Sequence, residues 1–441
     1  MLKEFKIKNF LSFKDELKFS MNPSKGTRLS NHIINSKNNK ILKNTVIFGA
    51  NASGKTNFVK ALAFVKDLIL RGFNNSKIEK KYFRLLDSNY FDLAEFYLEF
   101  ISDNINYRYF FSYSYADRII YDEILDVKYK KEYVNIFTRN YIDSKIVIKS
   151  DFDFKNDDDK SRFNIYSTDF QNSEDEKMKK TFFIADTAKR CPVNSDYFKN
   201  YINVIRWFLN VIIIFPDTKF GNISQLIESE HQDEFLNITR SFDLNICKIK
   251  NEELNFEELF KNMEQNEASE MKNEILNDLE QHQIMVKINN TIATINKDDT
   301  GNITVKKMKL AHSDDNHLFD LFEESDGTQR LFDLIPLFFH IKNNRVVLID
   351  EIDRSLHTKV VKKFLDLFFE KNENFQSQLI FTSHDVNLLD LDIFRQDEIK
   401  FMNRNKEGAS YLTSLNDYNV RFDKKLLKEY LMGEYGGIPK F

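Results

Sequence analysis

Cysteine is nearly absent from this chain of 441 residues. The two present, Cys191 and Cys247, stand far apart with no partners at metal-ligand spacing, which excludes a disulfide framework and reads as two free thiols in an intracellular protein. Long apolar runs are also missing: the most hydrophobic stretch, Ile202 to Phe215, is broken by Arg206 and Asn210 and falls short of the roughly 18 apolar residues of a membrane span. The opening residues alternate charge with apolar groups, so no secretory signal is expected. The expectation is a soluble, cytoplasmic chain with no membrane partner. Neither charge dominates, with 64 basic and 68 acidic residues, and such a balance does not advertise nucleic-acid binding. No internal repeat or low-complexity tract occurs, and no heptad pattern is sustained long enough for a long coiled coil.

What is present suffices for a large core. Hydrophobic residues make up 42% of the chain, 43 of them phenylalanine, and the length accommodates two to three domains. Glycine is scarce, at 11 residues, which makes one cluster informative. Gly49, Ala50, Asn51, Ala52, Ser53, Gly54, Lys55 and Thr56 follow an apolar strand-like run, Asn44 to Phe48, and open a helical pattern with Phe58, Leu62, Val65 and Ile69 on one face. This is the phosphate-binding pattern of two glycines with four residues between them followed by Lys-Ser/Thr, in the strand–loop–helix setting it requires. Backbone N–H groups at a helix N-terminus surround phosphates, Lys55 reaches the β/γ oxygens, and the Thr56 hydroxyl takes Mg²⁺. A nucleoside triphosphate with Mg is therefore the expected ligand, ATP once the resemblance below is taken in, with Asn57 continuing the contact set.

The second half adds acids and a histidine. Arg345-Val-Val-Leu-Ile-Asp-Glu-Ile-Asp353 has the form of a buried parallel strand ending in Asp350 and Glu351. A carboxylate there holds Mg²⁺ through its shell, the role expected of Asp350, and the next one polarises an attacking water, the role expected of Glu351. Glu324-Ser-Asp-Gly-Thr-Gln-Arg330 precedes a helical period, and Gln378-Leu-Ile-Phe-Thr-Ser-His-Asp385 is a strand ending in His384.

The order loop, Ser-Asp-Gly-Thr-Gln segment, Asp-Glu strand and strand-His resembles the ABC-type ATPases, including the SMC, RecF and OLD families. The opening Leu2 to Asp15 resembles the first strand pair of RecF-like and SMC-like heads. The match is densest with small bacterial AAA-type ATP-binding proteins of that group, of the kind found in phage-defence and abortive-infection systems, over residues 1 to about 110 and about 305 to 441. The resemblance implies an α/β, ABC-type P-loop ATPase head with a mainly helical insertion. It implies that Ser325, Asp326, Gly327, Thr328 and Gln329 form a signature offered to the nucleotide of a second copy in a head-to-head dimer or higher oligomer. It also implies that Asp353, Arg354 and Ser355 lie in a short loop communicating between two sites, and that His384 meets the γ-phosphate or the attacking water. Together with Lys55 and Glu351, His384 completes the expected catalytic set.

Departures accompany the matches. Asp326 stands where many ABC proteins carry the first of two glycines, no counterpart of the inter-lobe glutamine is found, and Asn9-Phe-Leu-Ser12 lacks the arginine often seen in RecF-like heads. Too few residues follow His384 for the Toprim nuclease domain of OLD proteins, so any nuclease or toxin activity is expected in a separate effector.

The organisation expected is a first ATPase lobe over 1–180, a helical insertion over 181–285 and a second lobe over 286–441. Strands are predicted near 95–101, 107–113 and 119–125, and helices over Tyr197 to Ile214, Ile223 to Phe242 and Phe256 to Gln283. The acidic run Asp151 to Lys160 reads as a loose loop or hairpin tip. Basic clusters at 128–131, 177–180 and 306–309 read as solvated faces, with a phosphate-backbone surface as the alternative. The tail Tyr430-Leu-Met-Gly-Glu-Tyr-Gly-Gly-Ile-Pro439 reads as a terminal turn docking on the domain or on a partner.

The leading expectation is an ATP-dependent sensor or switch in bacterial anti-phage defence that controls a separate toxic or nuclease effector. The alternative is a RecF/SMC-like DNA repair ATPase, with DNA as partner. A transporter subunit and a non-hydrolysing scaffold fit the residues less well.

Overall fold

Three short runs with apolar centres, Asn44–Phe48, Val346–Ile349 and Gln378–Ser383, are buried along their whole length. A strand covered on both faces is the form a parallel sheet takes. The computed structural model describes residues 1–437 apart from 37–38, 74–79, 174, 219–222, 262, 280–283, 289–290, 299, 313–316, 419 and 421–425. It falls into two units, Met1–Ile214 with Asn343–Ile352 and Asn372–Phe441, and Phe215–Lys342 with Asp353–Lys371.

In the first unit the three runs are neighbours. A six-stranded sheet runs Val211–Ile214, Val346–Ile349, Gln378–Ser383, Asn44–Phe48, Ile399–Arg404, Ser410–Ser414. Its first five strands are parallel and the last is antiparallel. Ile349 pairs with Phe381 and Phe48 with Ser383. Gly49, Asp350 and His384 therefore leave the sheet at one edge, the C-terminal edge where open α/β sheets bind ligands. The α/β class expected from the sequence is present.

The same unit carries a seven-stranded antiparallel sheet in the order Lys145–Lys149, Glu132–Ile142, Ile119–Tyr129, Ile105–Ser114, Leu93–Ser102, Leu2–Lys8, Leu17–Ser20. It contains the three strands predicted from alternation. Inward residues such as Phe96, Leu98, Tyr109 and Phe111 are fully buried. Helix Lys199–Leu209 lays Trp207 on Phe100, with ring centroids 4.3 Å apart.

Two buried polar side chains fix this unit. Gln378 accepts from Leu2 N–H (2.5 Å) and donates to Leu2 O and Leu42 O (3.0 Å each), tying the first strand of the chain to the parallel sheet. Glu123, wholly buried, accepts from Tyr109 Oη (2.9 Å) and from the N–H groups of Phe183 (2.7 Å) and Ile184 (3.0 Å) at the start of helix Phe183–Arg190. Burial pushes its carboxyl above the usual range, against the lowering pull of the Arg139 guanidinium and those donors.

In the second unit Lys248–Leu254, Ile303–Ala311, Thr291–Lys297 and Ile284–Ile288 form one sheet, with Phe319–Asp320 also paired to Ile303–Ala311. Leu259, Phe260, Ala268, Ile275, Ile295 and Val305 share its core. Helices Gln232–Ser241, Asp326–Leu334, Leu337–His340 and Thr358–Lys371 also belong to the unit, with Phe235 on Phe332 and Phe338 on Phe364.

Several local expectations change. Val211–Ile214 is a strand instead of the end of a helix. Asn210 closes the preceding helix, its N–H reaching Arg206 O and Trp207 O (3.0 Å each), and the β-branched run that follows suits a buried parallel strand. The segment expected to be helical over Phe256 to Gln283 splits into a short 3₁₀ turn, Phe256–Phe260, and helix Gln265–Asp278, while its last four residues lie outside the described ones. Asp157, Asp158 and Asp159, placed in a loop by composition, form the first turn of helix Asp157–Gln171, capped by Asn156. Acidic groups complement the positive end of a helix. The lysines of 306–309 are neutralised: Lys306 pairs with Glu228 (2.7 Å), Lys307 with Asp320 (2.6 Å) and Lys309 with Asp320 (2.7 Å).

Two measurements test this account. Replacing Gln378 by Leu strands three buried main-chain groups, so urea unfolding should show a loss of about 2–4 kcal/mol. Lys400, on the strand beside Asn44–Phe48, is buried, donates to Asp397 O (3.2 Å) and makes no ion pair among the described residues; burial pushes its amine down to about 8. Between pH 8 and the ordinary lysine value the unfolded chain binds the extra proton, so the native state gains stability as pH rises there. Lys400→Met should therefore gain on the wild type at pH 7 and lose that advantage toward pH 10, measured as the difference in unfolding free energy.

Candidate nucleotide site

The phosphate-loop residues are shaped by what cannot be added to them. A Cβ at Gly49 would lie 2.6 Å from Ser53 Oγ and 2.7 Å from Met402 O, and one at Gly54, where φ is 115°, would run into Ser410 Oγ and Ser12 Oγ. Ala52 is also left-handed, with φ 60°. Helix Lys55–Arg71 begins at Gly54, which has no side chain with which to cap its first turn. Ser410 Oγ donates to Ser53 O (2.6 Å), Ser410 N–H donates to Ser12 O (2.7 Å), and Asn57 Nδ2 donates to Ser12 Oγ (2.8 Å). Asn57, expected among the nucleotide contacts, thus turns its amide to the opening segment of the chain.

Lys55 is buried, and its ammonium donates to Gly49 O (2.6 Å) and Ala50 O (3.0 Å). His384 Nδ1 stands 3.4 Å from the same ammonium, and His384 Nε2 stands 3.6 Å from Glu351 Oε1. The imidazole therefore lies between the loop lysine and the acid of the neighbouring strand. Lysine has only protons to give, so Nδ1 is assigned as acceptor and Nε2 as the protonated nitrogen facing the carboxylate.

Asp350 is buried at the end of Val346–Ile349, and its Oδ1 accepts from Thr382 Oγ1 (2.7 Å). The same hydroxyl accepts from Glu351 N–H (2.8 Å), and Thr382 O accepts from Ile352 N–H (3.1 Å). Glu351 has φ 49°, a left-handed conformation costly for a residue with a side chain and held here by those bonds. Thr382 was missed by sequence reasoning, as were Ser12 and Ser410.

The residues present fit ATP with Mg²⁺. Ser53 Oγ is buried in the loop with no hydrogen-bond partner among the described residues. Thr56 and Asp350 supply the oxygen donors a hard divalent cation takes.

In the second unit Ser325 caps helix Asp326–Leu334, its Oγ accepting from Thr328 N–H (3.2 Å) and lying 3.0 Å from Thr328 Oγ1. A Cβ at Gly327 would come 2.9 Å from Ser355 O, and Ser355 is itself left-handed at φ 61°. Gln329 Nε2 donates to Glu324 O (2.9 Å) and Phe322 O (3.3 Å), and Arg330 Nη1 donates to Phe215 O (3.3 Å). A cavity of about 450 Å³ opens beside this helix, lined by Lys287, Asp326, Gln329, Arg330, Arg354 and Ser355.

Among solved structures, the chain is similar to an SMC head bound to the C-winged helix domain of ScpA (15% identity, 94% of this chain and 97% of that one, TM-score 0.41). An SMC head domain from Thermotoga maritima is another (13%, 94% and 98%, TM-score 0.34). A third is an Smc head domain with an extended coiled coil, bound to the C-terminal domain of ScpA derived from Pyrococcus furiosus (15%, 98% and 98%, TM-score 0.35). No curated protein matches. A family model does match over residues 45–390, a span that opens on the loop strand and closes after His384. Since it takes in most of the chain, the protein belongs to that family, described as AAA domain, AbiEii toxin type, Type IV TA system.

Proposed function

We propose that this chain hydrolyses ATP as a switch of the ABC type in bacterial anti-phage defence, and that its state controls a separate toxic or nuclease effector. The observation that carries the hydrolytic part is His384, whose two ring nitrogens face Lys55 at 3.4 Å and Glu351 at 3.6 Å, beside a buried Asp350. The defence part rests on the family, whose description names a toxin–antitoxin system.

The loop N–H groups and Lys55 would bind the β- and γ-phosphates, with Lys55 exchanging its carbonyl partners for phosphate oxygens. Thr56 and Asp350 would hold Mg²⁺, which when bound neutralises charge on the transferring phosphoryl group. Glu351 would orient the attacking water, and His384 Nε2–H would steady that carboxylate. Catalysis of this kind is positioning plus electrostatics. Ser325, Asp326, Gly327, Thr328 and Gln329 would meet the nucleotide held by a second copy, so that ATP closes a homodimer and hydrolysis releases it. Since the lysines of 306–309 are paired with acids, the DNA-repair alternative has less basic surface to draw on.

Turnover per protomer, followed across protein concentration with and without duplex DNA, tests the reading. Turnover should rise with concentration and ignore DNA; a rate independent of concentration would sink the shared-site dimer, and strong DNA stimulation would favour the repair alternative. Glu351→Gln should lower kcat about 100-fold or more while ATP still binds. Thr382→Val should raise the Mg²⁺ concentration for half-maximal turnover by about tenfold, and Thr382→Ser, which keeps the hydroxyl, should restore it. An unchanged Mg²⁺ requirement in the valine variant would remove Thr382 from the site.

A further inference from the structure

The glycine-rich tail ends against the phosphate loop of its own unit. Phe401, on the strand beside Asn44–Phe48, carries both Tyr430 and Tyr435 stacked on it, with ring centroids 5.4 and 5.5 Å away. Tyr430 also approaches Phe48, the last strand residue before Gly49, at 6.4 Å. Gly436 and Gly437 follow with φ 73° and 71°, consecutive left-handed residues that favour glycine. A Cβ at Gly436 would collide with Asn403 Oδ1, and one at Gly437 would lie 3.3 Å from Tyr430 and 3.4 Å from Gly49 Cα. The tail backbone is pinned in this position. Asn403 Oδ1 accepts from Gly437 N–H, Asn403 Nδ2 donates to Phe401 O (3.3 Å) and Thr413 Oγ1 (3.2 Å), and Tyr430 Oη donates to Gly437 O (2.8 Å). Residues 438–441, including the Ile-Pro of the tail, lie outside the described residues.

Gly49 is thus enclosed by its own strand neighbours and by the tail. Met402 O and Ser53 Oγ crowd it from the sheet and the loop, and Gly437 lies against its Cα. Its carbonyl is also the nearer of the two acceptors that hold the Lys55 ammonium. A displaced tail would free the backbone at the residue from which the loop springs.

We propose that Tyr430–Gly437 is a positioning element of the phosphate loop, packing on Gly49 so that the loop and Lys55 are preset for nucleotide, and that nucleotide in return orders the tail. This rests on the reading of residues 49–56 as an ATP site. Linkage makes the two halves one claim, because whatever factor the seated tail adds to nucleotide affinity, bound nucleotide adds to the seating of the tail.

The test joins two readouts on the full chain. ATP·Mg binding is measured by calorimetry for wild type, Gly436→Ala, Asn403→Leu and Lys55→Ala, and amide hydrogen exchange of residues 430–437 is followed in wild type with and without saturating ATP. The two tail variants should bind ATP about tenfold more weakly, and ATP should slow tail exchange in wild type by a similar factor. Tail variants that bind like wild type, or tail exchange in wild type that ignores ATP, would overturn the proposal while leaving the ATP site standing. A wild type that does not bind ATP would take down the site and the proposal together. The exchange measurement needs no substitution, so it decides even where a variant fails to fold.

Discussion

The parallel pairing of Gln378–Ser383 with a strand on either side is the constraint on which the chemistry of the first unit depends. It brings Asn44–Phe48 beside segments some three hundred residues further along the chain. The entropy of closing such a loop grows only slowly with its length, so a few fully buried strands suffice to hold it. The same strand does further work at both ends. Gln378 at its start binds Leu2 and Leu42, Thr382 near its finish orders Asp350 and Glu351, and His384 follows at the rim.

This explains which parts of the site were legible in the sequence. The phosphate loop and the Asp-Glu strand announce themselves through local spacing, since each is built from consecutive residues whose chemistry needs them adjacent. His384 was readable only through its place in a series. Thr382, Ser12 and Ser410 were not readable as site residues, because each acts on a segment distant in the chain and nothing in its own surroundings records that partner. The fold shows the same division. Alternation revealed the long antiparallel strands, whereas Val211–Ile214 and Lys248–Leu254 carry no decisive period of their own. The second is charged along much of its length and becomes a strand by pairing with Ile303–Ala311, where Glu252 faces Lys307 and Glu253 faces Lys306. The lysine run of 306–309 looked like an exposed basic cluster for the same reason.

Several of the scarce glycines stand where a side chain would not fit. Gly49, Gly54, Gly436 and Gly437 stand close to neighbours that a Cβ would crowd, and all belong to the loop or to the tail beside it. In the second unit Gly327 meets Ser355 O in the same way. A close approach of this kind leaves little room for gradual adjustment, since packed interiors transmit displacement instead of absorbing it.

That rigidity bears on the imidazole of His384. Its Nδ1 depends on an ammonium held by Gly49 O and Ala50 O, and its Nε2 faces a carboxylate whose backbone is kept left-handed with its N–H on the Thr382 hydroxyl. Neither support is free to follow the other, because one belongs to the loop after Asn44–Phe48 and the other to the turn after Val346–Ile349. A lysine drawn from the carbonyls toward phosphate would remove the donor at Nδ1 while leaving the carboxylate at Nε2. Among the described residues His384 thus joins the two segments, one ring nitrogen on the loop lysine and the other toward Glu351.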